Sequence, residues 1–160
     1  MDKIRAIAKE TQERVAQRVA FESQIVEVWQ QGLTREQEKQ VWQAYITFEI
    51  AQSQPKRARL LYERALISLD KDRQFWLQYV RFLEKNLRDP QLVRAKFENR
   101  IRTSSAGNKY ETLELMLEQA LFEEEQNQIQ KARKVYENLQ TEIAPDCLKT
   151  LMAYVSFEKR

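Results

Sequence analysis

Large apolar side chains recur along this chain three and four residues apart, with charged and amide side chains between them. This spacing places the apolar residues on one face of a helix. Two such stripes lie close together in residues 42–66, and Pro55 between them suits the first turn of a new helix. The first stripe, with the carboxylate that follows it, is Trp42, Tyr45, Phe48 and Glu49, and the second is Ala58, Tyr62, Glu63 and Leu66. The stretch therefore predicts two helices, 35–52 and 55–69, joined by a short turn.

The same pair of stripes recurs further along the chain. Trp76 lies 34 residues after Trp42, and later copies follow at steps of about 34 to 40 residues. These copies contain Trp76, Tyr79 and Phe82, then Phe97 and Glu98, then Phe122 and Glu123, then Tyr136 and Glu137. A period of this length built from helix pairs is typical of an α-solenoid. We therefore predict an all-α α-solenoid with repeats at about 34–70, 72–103 and 109–142, and a partial repeat at 146–160.

Capping residues set the predicted helix boundaries. The caps are Thr34 with Gln37 three residues later, Asp70 or Asp72, and Asp89 before Pro90. Before the repeats, we predict two N-terminal helices within 3–31, at 3–21 and 23–30, ended by Gly32. The remaining predicted helices are 75–85, 90–102, 109–126, 129–142 and 146–159. The clearest internal loop is predicted at 103–108, which reads Thr-Ser-Ser-Ala-Gly-Asn.

Composition agrees with long helices and short turns. The 160 residues include two glycines and three prolines, and 32 % of the side chains are charged, as amphipathic helices require. This length suffices for a single domain, 1–160, with a sizeable core. No apolar run approaches the roughly 20 residues needed to cross a bilayer. Because the pattern begins and ends within a repeat, we expect a piece of a longer solenoid.

Residue usage excludes several kinds of chemistry. The chain has no histidine and a single cysteine, Cys147, which excludes Cys/His zinc sites, Ser-His-Asp triads and an internal disulfide. We expect no catalytic, cofactor or metal site. The carboxylates that recur with the repeat are Glu49, Glu63, Glu98, Glu123 and Glu137. They are predicted to form ion pairs or hydrogen bonds between helices, with Arg59, Arg64 and Arg133 as candidate partners.

Charge is unevenly distributed. Residues 56–102 carry 13 basic and 6 acidic side chains, whereas 1–55 and 103–160 are mildly acidic. The candidates for contact with RNA or with an acidic partner are Arg57, Arg73, Arg81, Lys85, Arg88, Arg94, Lys96, Arg100 and Arg102. The alternative is that these side chains only solvate the outer helix faces or pair with a neighbouring protein.

A resemblance to a known family rests on these motifs. Trp42-x-x-Tyr45-x-x-Phe48-Glu49, followed by an Ala-Arg-x-x-Tyr-Glu-Arg-Ala-Leu run at 58–66, resembles the half-a-TPR (HAT) repeat of RNA-processing scaffold proteins. The segment 10–22 and the long step from it to Trp42 are similar to the U-one snRNP pre-mRNA-processing factor thirty-nine/forty-two family. The similarity extends over nearly all of the chain, although the third repeat has Met116 where the first has Trp42.

The resemblance implies a non-enzymatic scaffold in the nucleus. Members of this family help to hold the snRNP that recognises the 5′ splice site, and they homodimerise or heterodimerise through HAT repeats. The expected partners are other splicing proteins, with no membrane contact. Two alternatives stay open. One is a HAT scaffold of another complex, such as the 3′-end cleavage stimulation factor or a crooked-neck type factor. The other is direct RNA binding through the basic region 56–102.

Overall fold

The computed structural model describes residues 2–32, 34–104 and 108–160. In these residues every regular element is a helix, so the predicted all-α helical-repeat class is confirmed. The helices are α1 Asp2–Gln31, α2 Arg35–Ala51, α3 Pro55–Ser68, α4 Arg73–Phe82, α5 Pro90–Ser104, α6 Lys109–Glu125, α7 Ile129–Asn138 and α8 Leu148–Lys159. Two π-helical segments, Leu83–Leu87 and Leu139–Ile143, follow α4 and α7 directly.

The chain divides into two compact units, Met1–Leu87 and Arg88–Arg160, called unit 1 and unit 2 below. The single domain over 1–160 stays a prediction. Within unit 1, α2 packs against both α1 and α3, so the helices predicted at 35–52 and 55–69 lie side by side. Within unit 2, α6 packs against both α5 and α7. We call α2, α4, α6 and α8 first-type helices, and α1, α3, α5 and α7 second-type helices, after the order of the two stripes.

Helix starts follow the predicted caps. The Thr34 hydroxyl accepts the Gln37 N–H, and the Gln37 side chain accepts the Thr34 N–H at 2.9 Å, which completes the capping box. Of the two candidate aspartates, Asp72 caps α4 by accepting the Phe75 N–H at 2.8 Å. Asp89 accepts the Leu92 N–H at 3.0 Å at the start of α5. Local sequence therefore determines where these helices begin.

The two predicted N-terminal helices are wrong, because α1 is one continuous helix from Asp2 to Gln31. No glycine or proline interrupts this span, so nothing in it breaks the backbone hydrogen bonding. The Phe21-Glu22 pair, taken as a helix end, instead belongs to an Arg-x-x-aromatic-Glu pattern in the helix interior. Gly32 follows with a φ of +61°, the left-handed conformation that favours glycine after a helix.

The segment between α5 and α6 differs in part from its prediction. Helix α5 continues to Ser104, so the first residues of the predicted 103–108 loop are helical. Residues 105–107 lie outside the described residues. Asn108 caps α6, because its side chain accepts the N–H groups of Tyr110 and Glu111 at 3.1 and 3.3 Å. The last helix, predicted from 146, begins at Leu148.

The turns from α2 to α3 and from α6 to α7 are built alike. Ser53 and Asn127 have φ values of +55° and +56°. The next N–H in each turn reaches back five residues, from Gln54 to the Glu49 carbonyl at 2.9 Å and from Gln128 to the Glu123 carbonyl at 2.8 Å. This is a Schellman ending, which normally carries glycine at the left-handed position. It is formed here by a serine and an asparagine.

Candidate functional site

The aromatic residues of the repeat motif form the core of each unit. In unit 1, Trp42 is fully buried and its indole N–H donates to Glu38 at 3.3 Å. In unit 2, Met116 takes the equivalent place and is also buried. The other buried motif residues are Tyr45, Ala58, Tyr62, Trp76, Tyr79, Phe82, Phe97, Phe122 and Tyr136, while Phe48 and Leu66 are half-buried. The motif is therefore a packing element in both units.

A buried ion pair joins α1 to α2 in unit 1. Arg18 donates from Nε and Nη2 to the two carboxylate oxygens of Glu49 at 2.6 and 3.0 Å. Its guanidinium also lies over the Phe48 ring, 5.9 Å from the centroid. The Glu49 side chain is 1 % exposed, so the carboxylate has lost its water and depends on this arginine. We call this three-residue arrangement the Arg–Phe–Glu clasp.

The clasp occurs twice more, in unit 2. Arg94 donates to both carboxylate oxygens of Glu123 at 2.7 and 2.8 Å and lies over Phe122 at 5.8 Å. At the junction of α7 and α8, Arg133 binds Glu158 at 2.6 and 3.0 Å and lies over Phe157 at 5.8 Å. Two parallel N–H···O bonds fix the orientation of both planar groups. Each clasp therefore sets the position of one helix against the next.

A second contact accompanies the clasp four residues along the same second-type helix. The contact is a hydrogen bond accepted by a glutamate of that helix. Its donor is a tyrosine of the next first-type helix, three residues before the clasp phenylalanine or, in α4, three residues before Phe82. Tyr79 donates to Glu63 at 2.8 Å. Burial and then this hydrogen bond raise the pKa of Tyr79. The equivalent pairs are Tyr45 with Glu22 and Tyr154 with Glu137.

The copy between α3 and α4 departs from this arrangement. Leu83 follows Phe82 where the other copies have the clasp glutamate, and it is fully buried at the start of a π-helical segment. Arg59, the counterpart of Arg18, pairs with Glu63 in its own helix at 3.3 Å. A π-helical turn accommodates one extra residue. Leu83 therefore packs in the core at the position that the clasp glutamate takes in the other copies.

Only part of this set was predicted from the sequence. Among the suggested partners, Arg133 is a clasp arginine, Arg59 bonds within α3, and Arg64 pairs with Glu22 of α1 at 2.8 Å. Arg18 was missed and Arg94 was assigned to the RNA candidates. The recurring Arg-x-x-aromatic-Glu pattern could have identified both. Among the recurring carboxylates, Glu98 and Glu137 are exposed, whereas Glu49 and Glu123 are buried.

The ion pairs between helices shift the pKa values of several of their members. Side-chain hydrogen bonds to the paired glutamate raise the pKa of Arg18, Arg94 and Arg133 above the ordinary arginine value. Conversely, the hydrogen bond from Arg133 lowers the pKa of Glu158, and the one from Arg64 lowers the pKa of Glu22. Glu158 and Glu22 are therefore held charged near neutral pH.

The basic candidates fall into three groups. Arg94 and Arg100 are engaged inside unit 2, with Glu123 and with Glu111 at 3.1 Å. Arg73 and Lys96 are half-buried. The exposed candidates are Arg57, Arg81 and Lys85 in unit 1, and Arg88 and Arg102 in unit 2. A contact of these side chains with RNA or with an acidic partner stays a prediction.

Each unit has a groove, and the two grooves share two equivalent lining positions, Glu22 with Glu98 and Val26 with Arg102. In unit 1 the groove has a volume of about 590 Å³, and Val15, Val19 and Val26 of α1 line it. In unit 2 the groove has a volume of about 460 Å³ and is lined from α5, α6 and α7, with Arg102 and Lys134 among the lining residues. Both grooves are concave surfaces that the described residues offer to a ligand.

Two further features, a metal-binding group and a membrane-spanning helix, were sought among the described residues. Within 2–32, 34–104 and 108–160 there is no group of three or more side chains able to hold a metal ion. In the same ranges, no helix has the length and apolar character that crossing a bilayer demands.

Paired helices with a recurring aromatic stripe and a recurring clasp define a helical-repeat protein of the HAT class. A family model described as the PRP39 C-terminal HAT repeat matches residues 16–160, so the chain belongs to that family. A Schizosaccharomyces pombe protein named Pre-mRNA-processing factor 39 is 28 % identical over 158 residues, which is 96 % of this chain and 25 % of that protein. A Xenopus laevis protein of the same name is 28 % identical over 102 residues, 64 % of this chain and 15 % of that protein.

The family expected from the sequence is therefore confirmed. The chain spans a quarter or less of the length of these two relatives. The functions of the complete relatives are therefore only proposed for this chain.

Proposed function

We propose that this chain is part of a non-enzymatic scaffold for pre-mRNA splicing that works in the nucleus, within the snRNP that recognises the 5′ splice site. It acts by protein–protein contacts, with other splicing proteins as partners, and a homodimer or heterodimer through HAT repeats belongs to the same proposal. The observation that carries it is the match of residues 16–160 to the PRP39 C-terminal HAT repeat.

The side chains support a structural role over a catalytic one. The carboxylates most protected from water, Glu49 and Glu123, are each held by an arginine across a helix junction. A catalytic acid or base must reach a substrate, whereas these groups face another helix. Their recurrence with the repeat is what a packing role requires.

The test is affinity purification of the protein containing this chain from nuclear extract, followed by mass spectrometry. We expect the proteins of the U-one snRNP to be enriched, and to remain enriched after ribonuclease treatment if protein contacts hold them. Recovery of the 3′-end cleavage stimulation factor or of crooked-neck type complexes instead would contradict the proposal. Loss of all partners after ribonuclease would contradict the protein-contact mechanism.

A second candidate is direct RNA binding, favoured by the exposure of Arg57, Arg81 and Lys85 on one unit. Phosphate contacts weaken steeply as salt rises, because counterions must rebind to the RNA. A gel shift with a short single-stranded RNA at low and at high salt tests this idea. Binding at low salt that falls in the double variant Arg57→Glu, Arg81→Glu would support it. No shift at low salt would remove it.

A further inference from the structure

The groove of unit 2 has an apolar floor. Ile101 of α5, Met116 of α6, and Val135 and Ile143 on the α7 side line it. Met116 is 5 % exposed, and the other three are half-buried. The volume of about 460 Å³ lies in the range of ligand pockets, roughly 300–1,000 Å³. The floor can therefore remove an apolar side chain from water.

The rim of this groove is polar and mostly basic. Arg102 and Lys134 are exposed cations on α5 and α7, and Glu98 is the one carboxylate among the described lining residues. Arg102 is oriented by a hydrogen bond from Nη2 to the Asn99 side chain at 2.9 Å. Gln119 and Asn138 add two amides, each of which both donates and accepts hydrogen bonds.

At the equivalent place in unit 1 an ion pair joins α3 to α1, and unit 2 lacks one of its two residues. In unit 1, Arg64 of α3 binds Glu22 of α1 through two hydrogen bonds of 2.8 and 2.9 Å. In unit 2, the position of Glu22 is taken by Glu98, but the position of Arg64 is taken by Asn138. An asparagine is too short to repeat this two-bonded contact, so its amide lines the groove and is available to a ligand.

We propose that the groove of unit 2 binds an extended peptide segment in which an apolar residue is flanked by acidic ones. An extended segment projects alternate side chains to opposite sides, so one can enter the floor while its neighbours turn toward the rim. The cations at Arg102 and Lys134 complement the acidic residues, and the amides of Gln119 and Asn138 pair with the peptide main chain. This inference rests on the proposed scaffold function, since it assigns one class of protein partner.

The test uses the 160-residue chain and fluorescence anisotropy of a short labelled peptide of alternating leucine and aspartate. We expect binding that weakens with salt. The double variant Arg102→Glu, Lys134→Glu should weaken it about tenfold or more, because two attractions become repulsions. Asn138→Arg should also abolish binding, since the new guanidinium reaches Glu98 and fills the groove. All three positions are exposed, so circular dichroism should show an unchanged fold.

The control variant is Lys159→Glu, which reverses an exposed charge outside the groove and should leave the affinity unchanged. A control peptide with lysine in place of aspartate should not bind. The proposal is overturned if that peptide binds equally well, if the double variant binds the acidic peptide normally, or if Lys159→Glu weakens binding as much. It is also overturned if single-stranded RNA binds the same groove with the same dependence on Arg102 and Lys134.

The peptide-binding result can be distinguished from the co-purification result that tests the proposed function. Absence of peptide binding, with U-one snRNP proteins still co-purifying, would remove this groove and leave the scaffold role intact. Peptide binding without that co-purification would do the reverse.

Discussion

The second-type helices of the two units share one internal contact and differ in the surfaces they present. In each unit, an arginine three residues before the aromatic position of a second-type helix forms an ion pair with the glutamate of the next first-type helix. These arginines are Arg18 in unit 1 and Arg94 in unit 2. The groove positions have diverged. Val26 of unit 1 corresponds to Arg102 of unit 2, and Arg64 corresponds to Asn138. The clasp contact is thus the same in both units, whereas the Arg64–Glu22 pair is found in unit 1 and the exposed positions beside it carry different residues in unit 2.

The largest expected effect tests the core positions of the two units. Trp42→Ala should lower the free energy of unfolding by about 3–5 kcal/mol and Met116→Ala by about 2–3 kcal/mol, because the larger side chain leaves the larger cavity. The tryptophan change also removes one donor from Glu38. Denaturant titration followed by circular dichroism measures both. Equal losses in free energy of unfolding would contradict the expectation that the larger buried side chain contributes more to stability.

The clasps should respond alike in the two units. Glu49→Gln and Glu123→Gln should each cost about 2–4 kcal/mol, because a largely buried arginine loses its opposite charge. Glu158→Gln should cost less, since the Glu158 side chain is 39 % exposed and water replaces part of the lost interaction. The same titrations apply. A Glu158→Gln loss as large as that of Glu123→Gln would contradict the role of burial.

The left-handed turns offer a stabilising change. Ser53→Gly in unit 1 should raise the free energy of unfolding by about 0.5–1 kcal/mol, because glycine adopts positive φ without the steric cost of a Cβ. Asn127→Gly in unit 2 should give less, since asparagine tolerates this conformation better than serine. Thermal unfolding compares the two. A loss of stability in Ser53→Gly would show that the serine side chain supports the turn in another way.

The smallest effect concerns pH and the Arg64–Glu22 ion pair of unit 1. The pKa of Glu22 is lowered by Arg64 from its ordinary 4.5, so its contribution is present above that value and is lost as pH falls through the lower folded pKa. The pair is nearly half exposed, which limits this contribution to below about 1 kcal/mol. Glu22→Gln should therefore flatten the decrease in melting temperature on acidification. Glu98→Gln, which faces asparagine in unit 2, is the matched control and should not.

Many of the helix positions were predicted from the sequence. The Thr34–Gln37 capping box, the caps at Asp72 and Asp89, and the side-by-side packing of α2 and α3 all depend on residues close together in the chain. The continuous α1 was not predicted, because Phe21-Glu22 occurs both at helix ends and in helix interiors. The π-helical segment after Phe82 was also not predicted, since Leu83 is apolar and continues the apolar stripe of α4.

The positions of the helix pairs and the identity of the core aromatics come from periodicity and capping, which act over a few residues. The repeat class comes from the recurrence of these patterns along the chain. The pairing of Arg18 with Glu49, the pairing of Arg94 with Glu123, and the open groove beside Asn138 depend on packing. Each brings together side chains from different helices, about 30 residues apart in the clasps. Many arginines and glutamates of this chain could form such pairs, and only the packing of one helix against the next selects among them.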